Sequence, residues 1–177
     1  MTDAELARRI RERAYLEGDF VLRSGRRSRF YLDKYRFATD PELLRALGER
    51  LAERALDSGG ERPDLLAGPE LGAVALAAEA SIAGGVPFLI VRKAAKAYGT
   101  ERRIEGVHAT GQRVCLVEDV VTTGGAAVAA IKALREAGLE CRRAVCVVDR
   151  EEGGADALAR TAVRLEPLFR ASEVIAA

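Results

Sequence analysis

Two kinds of apolar spacing alternate along the chain. Residues 3–16 carry apolar positions at helical intervals behind "TDAE", a capping-box pattern, and so predict an N-terminal helix. The next stretch, "FVLRSGRRSRFYLD", alternates apolar and polar residues around Ser24-Gly25, which predicts a β-hairpin. Asp40 and Pro41 then supply an N-cap and a proline at the first helical position. Behind them Leu44, Leu47, Leu51 and Ala55 form one stripe of a helix expected to stop near Gly59-Gly60.

From residue 64 onward short apolar runs alternate with helical ones. "DLLAG" precedes the helical "LGAVALAAEASIAGG", and "VPFLIV" precedes a long polar segment, residues 92–111. "RVCLVED" precedes "AAVAAIKALREAG", with Ala127, Ile131 and Leu134 in helical phase. "RRAVCVVD" leads into a short helix, and "TAVRLEPL" is the last expected strand. Continuous apolar strands separated by helices predict an α/β fold, a parallel sheet covered on both faces. Ligands bind such sheets beyond the carboxyl ends of the strands. Those ends carry "AGPELG", "RKAAK", "EDVVTTGG" and "DREEGG", so four loops of unusual composition are expected to meet on one edge.

Composition narrows the classes. A chain of 177 residues suits one domain with a full core. With 49% hydrophobic and 31% charged residues and a net charge of +1, nothing global points to nucleic acid or an acidic membrane. No apolar run reaches the roughly 18 residues of a membrane span. The charged "MTDAELARRIRERA" lacks the apolar core of a secretory signal. Cys115 and Cys146 sit inside apolar runs, as buried thiols do, which suits a reducing cytoplasm. The single histidine, His108, argues against a multi-histidine metal site, and no nucleophile elbow accompanies it.

The chemistry concentrates in "VEDVVTTGG", residues 117–125. "TTGG" directly before a helix brings backbone amides and a helix N-terminus to an anion, although a threonine-capped strand-to-helix turn reads the same way. It is neither a P-loop nor a dinucleotide fingerprint. Glu118 and Asp119 close an apolar strand, a costly position for two carboxylates unless they bind something. A sugar phosphate satisfies both halves, with its phosphate on Thr122, Thr123, Gly124 and Gly125 and its hydroxyls on the acids. A divalent cation would bridge diol and phosphate oxygens. "VRKAAKAYGTERR" holds five cations, Arg92, Lys93, Lys96, Arg102 and Arg103, against Glu101. It reads either as a solvated surface loop or as a mobile cationic lid that stabilises a leaving group such as pyrophosphate and expels water.

"VCLVEDVVTTGGAA" resembles the phosphoribosyl pyrophosphate (PRPP) signature of the type I phosphoribosyltransferases. "FVLRSGRRSRFYLDKYRF", "RKAAKAYG" and "VVDREEGG" are similar, in that order, to segments of the orotate phosphoribosyltransferase family. The resemblance implies Mg²⁺-dependent transfer from PRPP to orotate, giving orotidine 5′-monophosphate and pyrophosphate in pyrimidine biosynthesis. It implies the type I phosphoribosyltransferase fold: a parallel five-stranded sheet flanked by helices, with a small N-terminal hood and a long mobile lid loop. One domain results, residues 1–39 forming the first helix and hood hairpin and residues 40–177 the α/β core with its lid at 92–111. It also implies a cytoplasmic homodimer with shared active sites, taking small-molecule substrates and neither nucleic acid nor membrane.

The same resemblance implies residue roles. Glu118 and Asp119 bind the ribose hydroxyls, and Val120, Val121, Thr122, Thr123, Gly124, Gly125 and Ala126 wrap the 5-phosphate, with Thr122 also near orotate. Arg92, Lys93, Lys96 and Tyr98 meet the pyrophosphate, and Arg92, Lys96 and Asp119 are the residues expected to carry catalysis. Arg150 pairs with orotate's carboxylate, where a planar fork suits a planar anion, and Arg23 and Tyr31 line the base side. Magnesium is carried mainly by PRPP rather than by side chains. Some positions depart from the family pattern: Arg23 for lysine, Leu32 for an aromatic, Tyr98 for histidine, and Glu70-Leu71 where some members place a lysine near the pyrophosphate. A purine phosphoribosyltransferase is disfavoured by the "RKAAKAYG" lid and by Arg150, since a purine has no carboxylate to pair. A PRPP-sensing regulator is disfavoured by the absence of a helix-turn-helix pattern.

Overall fold

The computed structural model describes residues 1–21, 25, 27–57, 62–94 and 103–177. Helix α1 (Asp3–Ala14) opens on a capping box: the Thr2 hydroxyl accepts the Glu5 N–H, and the Glu5 carboxylate accepts the Thr2 N–H at 2.8 Å. It ends at Ala14, earlier than the spacing predicts, because Tyr15 already belongs to strand β1 (Tyr15–Val21). Strand β1 pairs antiparallel with β2 (Arg27–Leu32), so the expected hairpin forms and begins five residues before Phe20. Ser24 of its turn lies outside the described residues. A short helix that periodicity does not reveal, α2 (Lys34–Ala38), follows, its N-terminus capped by the Asp33 carboxylate accepting the Tyr35 N–H.

Helix α3 (Pro41–Leu56) starts as its residues dictate, with Asp40 Oδ1 accepting the N–H groups of Glu42 and Leu43 at 3.1 Å each. Its fully buried stripe is Leu43, Leu47, Leu51 and Ala55, while Leu44 is only partly buried. It stops at Leu56, and Gly59 and Gly60 lie outside the described residues. The remaining elements are β3 (Leu65–Pro69), α4 (Val74–Gly84), β4 (Phe88–Val91), β5 (Ile104–Glu105), β6 (Arg113–Val121), α5 (Gly125–Glu136), β7 (Glu140–Asp149), α6 (Gly154–Ala159), β8 (Arg164–Arg170) and α7 (Ala171–Ala176).

The main sheet has the order β5-β4-β3-β6-β7-β8. Five of its strands run parallel, and β5 pairs antiparallel with β4, so the expected five-stranded sheet carries a sixth strand. That strand comes from the polar segment 92–111. Ile104, one apolar residue in it, is buried against Leu89 and Val91, and two residues of pairing suffice to hold it.

Two cores cover the two sheet faces. One joins α1, α3 and α4 to Leu66, Cys115, Val117, Val145 and Val147. The other joins α5 and α6 to Leu65, Ala67, Val114, Leu116 and Ala144. The chain leaves β3 toward one edge and returns to lay β6 on the other side of β3. The strand order therefore reverses between β3 and β6, and in sheets of this kind the binding crevice lies at that switch point, beyond the carboxyl ends of the strands.

Candidate active site

The turn after β6 supplies one side of that crevice. Gly124, at φ 81°, is the first of its two glycines and needs the left-handed conformation; a side chain there would also press on the Gly154 carbonyl and on Ala157. No side chain caps α5, and Thr122, Thr123, Gly125 and Ala126 are exposed. A β-carbon on Gly125 would meet nothing within 4 Å. The first-turn amides of a 12-residue helix thus face open space, where they present donors and partial positive charge. Of the two readings of "TTGG", the threonine-capped turn does not form.

Glu118 and Asp119 precede this turn, 7% and 2% exposed. Successive strand residues point to opposite faces, so the two carboxylates leave β6 on different sides. Asp119 takes the face of Val117, where Lys34 Nζ, from the first turn of α2, approaches its Oδ2 to 2.7 Å. Its Oδ1 lies 2.6 Å from the Val120 amide. Burial would lower the Lys34 pKa, but hydrogen bonding and attraction to Asp119 outweigh it, and the ammonium is held above its ordinary value. Glu118 has no such partner beside it. Burial, then repulsion from Asp119, push its carboxyl up to about 8, with Lys34 and the Asp119 amide opposing.

The loop after β3 passes against Asp119. A side chain on Gly72 would run into Asp119 Oδ2 and reach within 3.1 Å of Lys34 Nζ, so the backbone of that loop passes directly against the ion pair. Glu70 does not point at a ligand. Its Oε1 accepts the Lys93 N–H at 2.6 Å, and its own N–H donates to the Val91 carbonyl, tying the ends of β3 and β4 together.

Arg150 follows β7, its N–H donating to the Val121 carbonyl at 2.8 Å. Its guanidinium lies 3.0 Å from Glu152 and stacks 4.9 Å over the Phe30 ring, while its buried Nε has no partner. Arg92 Nε is buried and unpartnered in the same way. Two guanidinium nitrogens at the carboxyl ends of the strands are thus without a partner among the described residues, and a planar fork of this kind can take an anion. Tyr31 stands 40% exposed with its ring 5.6 Å from Phe20, on the other face of β2 from Phe30. Lys93 is exposed, Val120 half-buried and Val121 buried. Arg23, Lys96 and Tyr98 lie outside the described residues.

Sequence reading missed Phe30 and Lys34. Strict alternation in "RFYL" could have separated the faces of Phe30 and Tyr31, but no spacing links Lys34 to Asp119. His108 sits with Ala133, Glu136 and Ala137 at the carboxyl end of α5. The crevice is at the other end of that helix, about 18 Å away at 1.5 Å per residue. Among the described residues no three His, Cys, Asp or Glu side chains gather into a metal cage. Glu118 and Asp119, and Asp149 at the end of β7, are buried carboxylates at that edge.

A family model described as "Phosphoribosyl transferase domain" matches residues 38–164. The chain is 47% identical to the orotate phosphoribosyltransferase of Methanocella arvoryzae, over 98% of this chain and 97% of that one. Its fold superimposes on the orotate phosphoribosyltransferase of Aeropyrum pernix with a TM-score of 0.85 at 34% identity, covering 97% of this chain and 96% of the other. The Mycobacterium tuberculosis orotate phosphoribosyltransferase in complex with PRPP gives 0.79 at 30% identity, covering 97% and 98%.

Proposed function

The chain belongs to the orotate phosphoribosyltransferase family of phosphoribosyltransferases, and on that premise we propose that it transfers the ribose 5-phosphate of PRPP to orotate, releasing orotidine 5′-monophosphate and pyrophosphate in pyrimidine biosynthesis. The observation that carries this reading is the uncapped N-terminus of α5 standing beside two buried carboxylates. The 5-phosphate sits on the amides of residues 122–126, and Glu118 and Asp119 accept the ribose hydroxyls from either side of β6. A ligand that is anionic at one end and rich in hydroxyls at its centre satisfies both groups together.

Orotate's ring nitrogen attacks the anomeric carbon as the pyrophosphate leaves. The protein's part is to hold the reactants in line, neutralise the leaving group and exclude water. Arg150, steadied by Phe30 and Glu152, directs its orphaned Nε toward orotate's carboxylate. Arg92 and Lys93, at the end of β4, face the pyrophosphate together with Lys96. Magnesium supplies charge neutralisation to the diphosphate. Among the described residues no side-chain cage would hold the ion, so it would be carried mainly by PRPP, with Glu118 and Asp119 engaged by the ribose hydroxyls.

The site is read as shared within a homodimer. Helix α4 has apolar residues on every side, which suits a helix covered all round. Its outer face carries Ile82, 76% exposed, and the loop just before the helix carries Leu71, 70% exposed. A cytoplasmic setting accords with three free, buried cysteines. Among the described residues no helix is long and apolar enough to cross a membrane.

The test mixes protein, Mg²⁺ and PRPP with orotate, hypoxanthine or adenine and follows pyrophosphate. Turnover with orotate alone is expected. Turnover with a purine and none with orotate would overturn the assignment.

A further inference from the structure

We propose that Lys34 is a resident cation of the donor site, which neutralises Asp119 in the empty enzyme and passes to the diphosphate when PRPP binds. The inference rests on the function proposed above and adds a residue to it.

Four observations support it. Lys34 Nζ lies 2.7 Å from Asp119 Oδ2, yet about a third of the lysine side chain remains exposed, at 35%. One side of the ammonium is thus committed to the acid, the Tyr35 ring lies 5.7 Å from it, and part of the side chain stays open to solvent. The loop after β3 runs within contact of the same ammonium, at 3.1 Å from where a Gly72 β-carbon would stand. That loop's own charged side chain, Glu70, is negative and is spent on the Lys93 amide. Lys34 is therefore a cation that a diphosphate lying against residues 70–72 would meet on the Gly72 side, with Arg92 and Lys93 at the strand end that Glu70 holds. Finally, Asp33 caps α2 and fixes its first turn, so the lysine's backbone is set while its long side chain can swing.

The exchange follows from the geometry of the ligand. The hydroxyl on the second ribose carbon and the diphosphate oxygen on the anomeric carbon are neighbours. When the hydroxyl donates to Asp119, the carboxylate gains a partner. The ammonium that held it then needs only a small rotation to reach the adjacent diphosphate. Buried Asp119 is never left uncompensated, and the leaving group gains a positive charge.

Ribose 5-phosphate has the diol and the 5-phosphate but no diphosphate, so it separates the two roles. Binding of PRPP and of ribose 5-phosphate is measured calorimetrically for the wild type, Lys34→Met and Lys34→Arg. The wild type should prefer PRPP. Lys34→Met should reduce that preference by at least about tenfold, the scale of one charge-assisted hydrogen bond, and Lys34→Arg should restore most of it. The KM for orotate should change little. If Lys34→Met weakens both ligands equally, the lysine only holds Asp119 in place and the proposal is wrong. If the wild type itself fails to prefer PRPP, the proposed function fails instead. Circular dichroism of each variant confirms the fold, and Lys34→Arg keeps the comparison decisive should Lys34→Met not fold.

Discussion

At the scale of single residues, burial decides which groups are chemically available. Cys115 is pushed up to about 12 and Cys141 to about 11 by burial, and Cys146 is raised well above its ordinary value for the same reason. Thiolate is the reactive form, so a thiol reagent near neutral pH should label none of the three in the native protein and all three in denaturant. Fast labelling of any cysteine in the native state would show that the strand packing is wrong. Glu118 gives a second test. Its folded value, about 8, stands above the unfolded carboxylate value of 4.5, so the folded state binds the proton more tightly. Its contribution is fully present below the unfolded value. It is lost as pH rises toward about 8 and is constant above that. Relative to Glu118→Gln, the ligand-free wild type should therefore lose stability between about pH 4.5 and about pH 8, measured by denaturant unfolding. A relative gain over that window would contradict the buried, cation-poor placement of Glu118.

At the scale of elements, what the sequence shows and what it hides follow from how local each signal is. Asp40-Pro41, the Thr2 capping box and the apolar runs of β3, β4, β6 and β7 act within a few residues, and each is readable in one dimension. The strand β5 depends on Ile104 finding Leu89 and Val91 across the sheet, and α2 and α7 are too short to show a period. The site divides in the same way. "EDVVTTGG" is contiguous and legible, whereas Lys34 on Asp119 and Arg150 on Phe30 are contacts between distant segments. Close helix packing also leaves a mark in sequence, at Gly48. A β-carbon there would collide with Glu79 of α4 and approach its carbonyl carbon at 3.0 Å. Although alanine is the better helix former, Gly48→Ala should destabilise the protein by about 1–3 kcal/mol, read as a lower unfolding midpoint. A stabilised variant would mean that α3 and α4 are not in contact at that point.

At the scale of the whole molecule, the doubly covered sheet brings together loops that are far apart in sequence. The order reverses between β3 and β6, so the Glu70–Gly72 loop, the Thr122–Gly125 turn and Arg150 share one edge while the two cores lie behind them. The apolar α4 face should organise the assembly. If the proposed homodimer forms through that face, Ile82→Asp should be monomeric in light scattering where the wild type is dimeric, with the fold intact. An unchanged mass would place the interface elsewhere. Transfer to orotate differs from hydrolysis of PRPP in stoichiometry, which measures it directly. With PRPP, Mg²⁺ and orotate, orotate loss, orotidine 5′-monophosphate formation and pyrophosphate release should run one to one to one. Pyrophosphate released without loss of orotate would contradict the account.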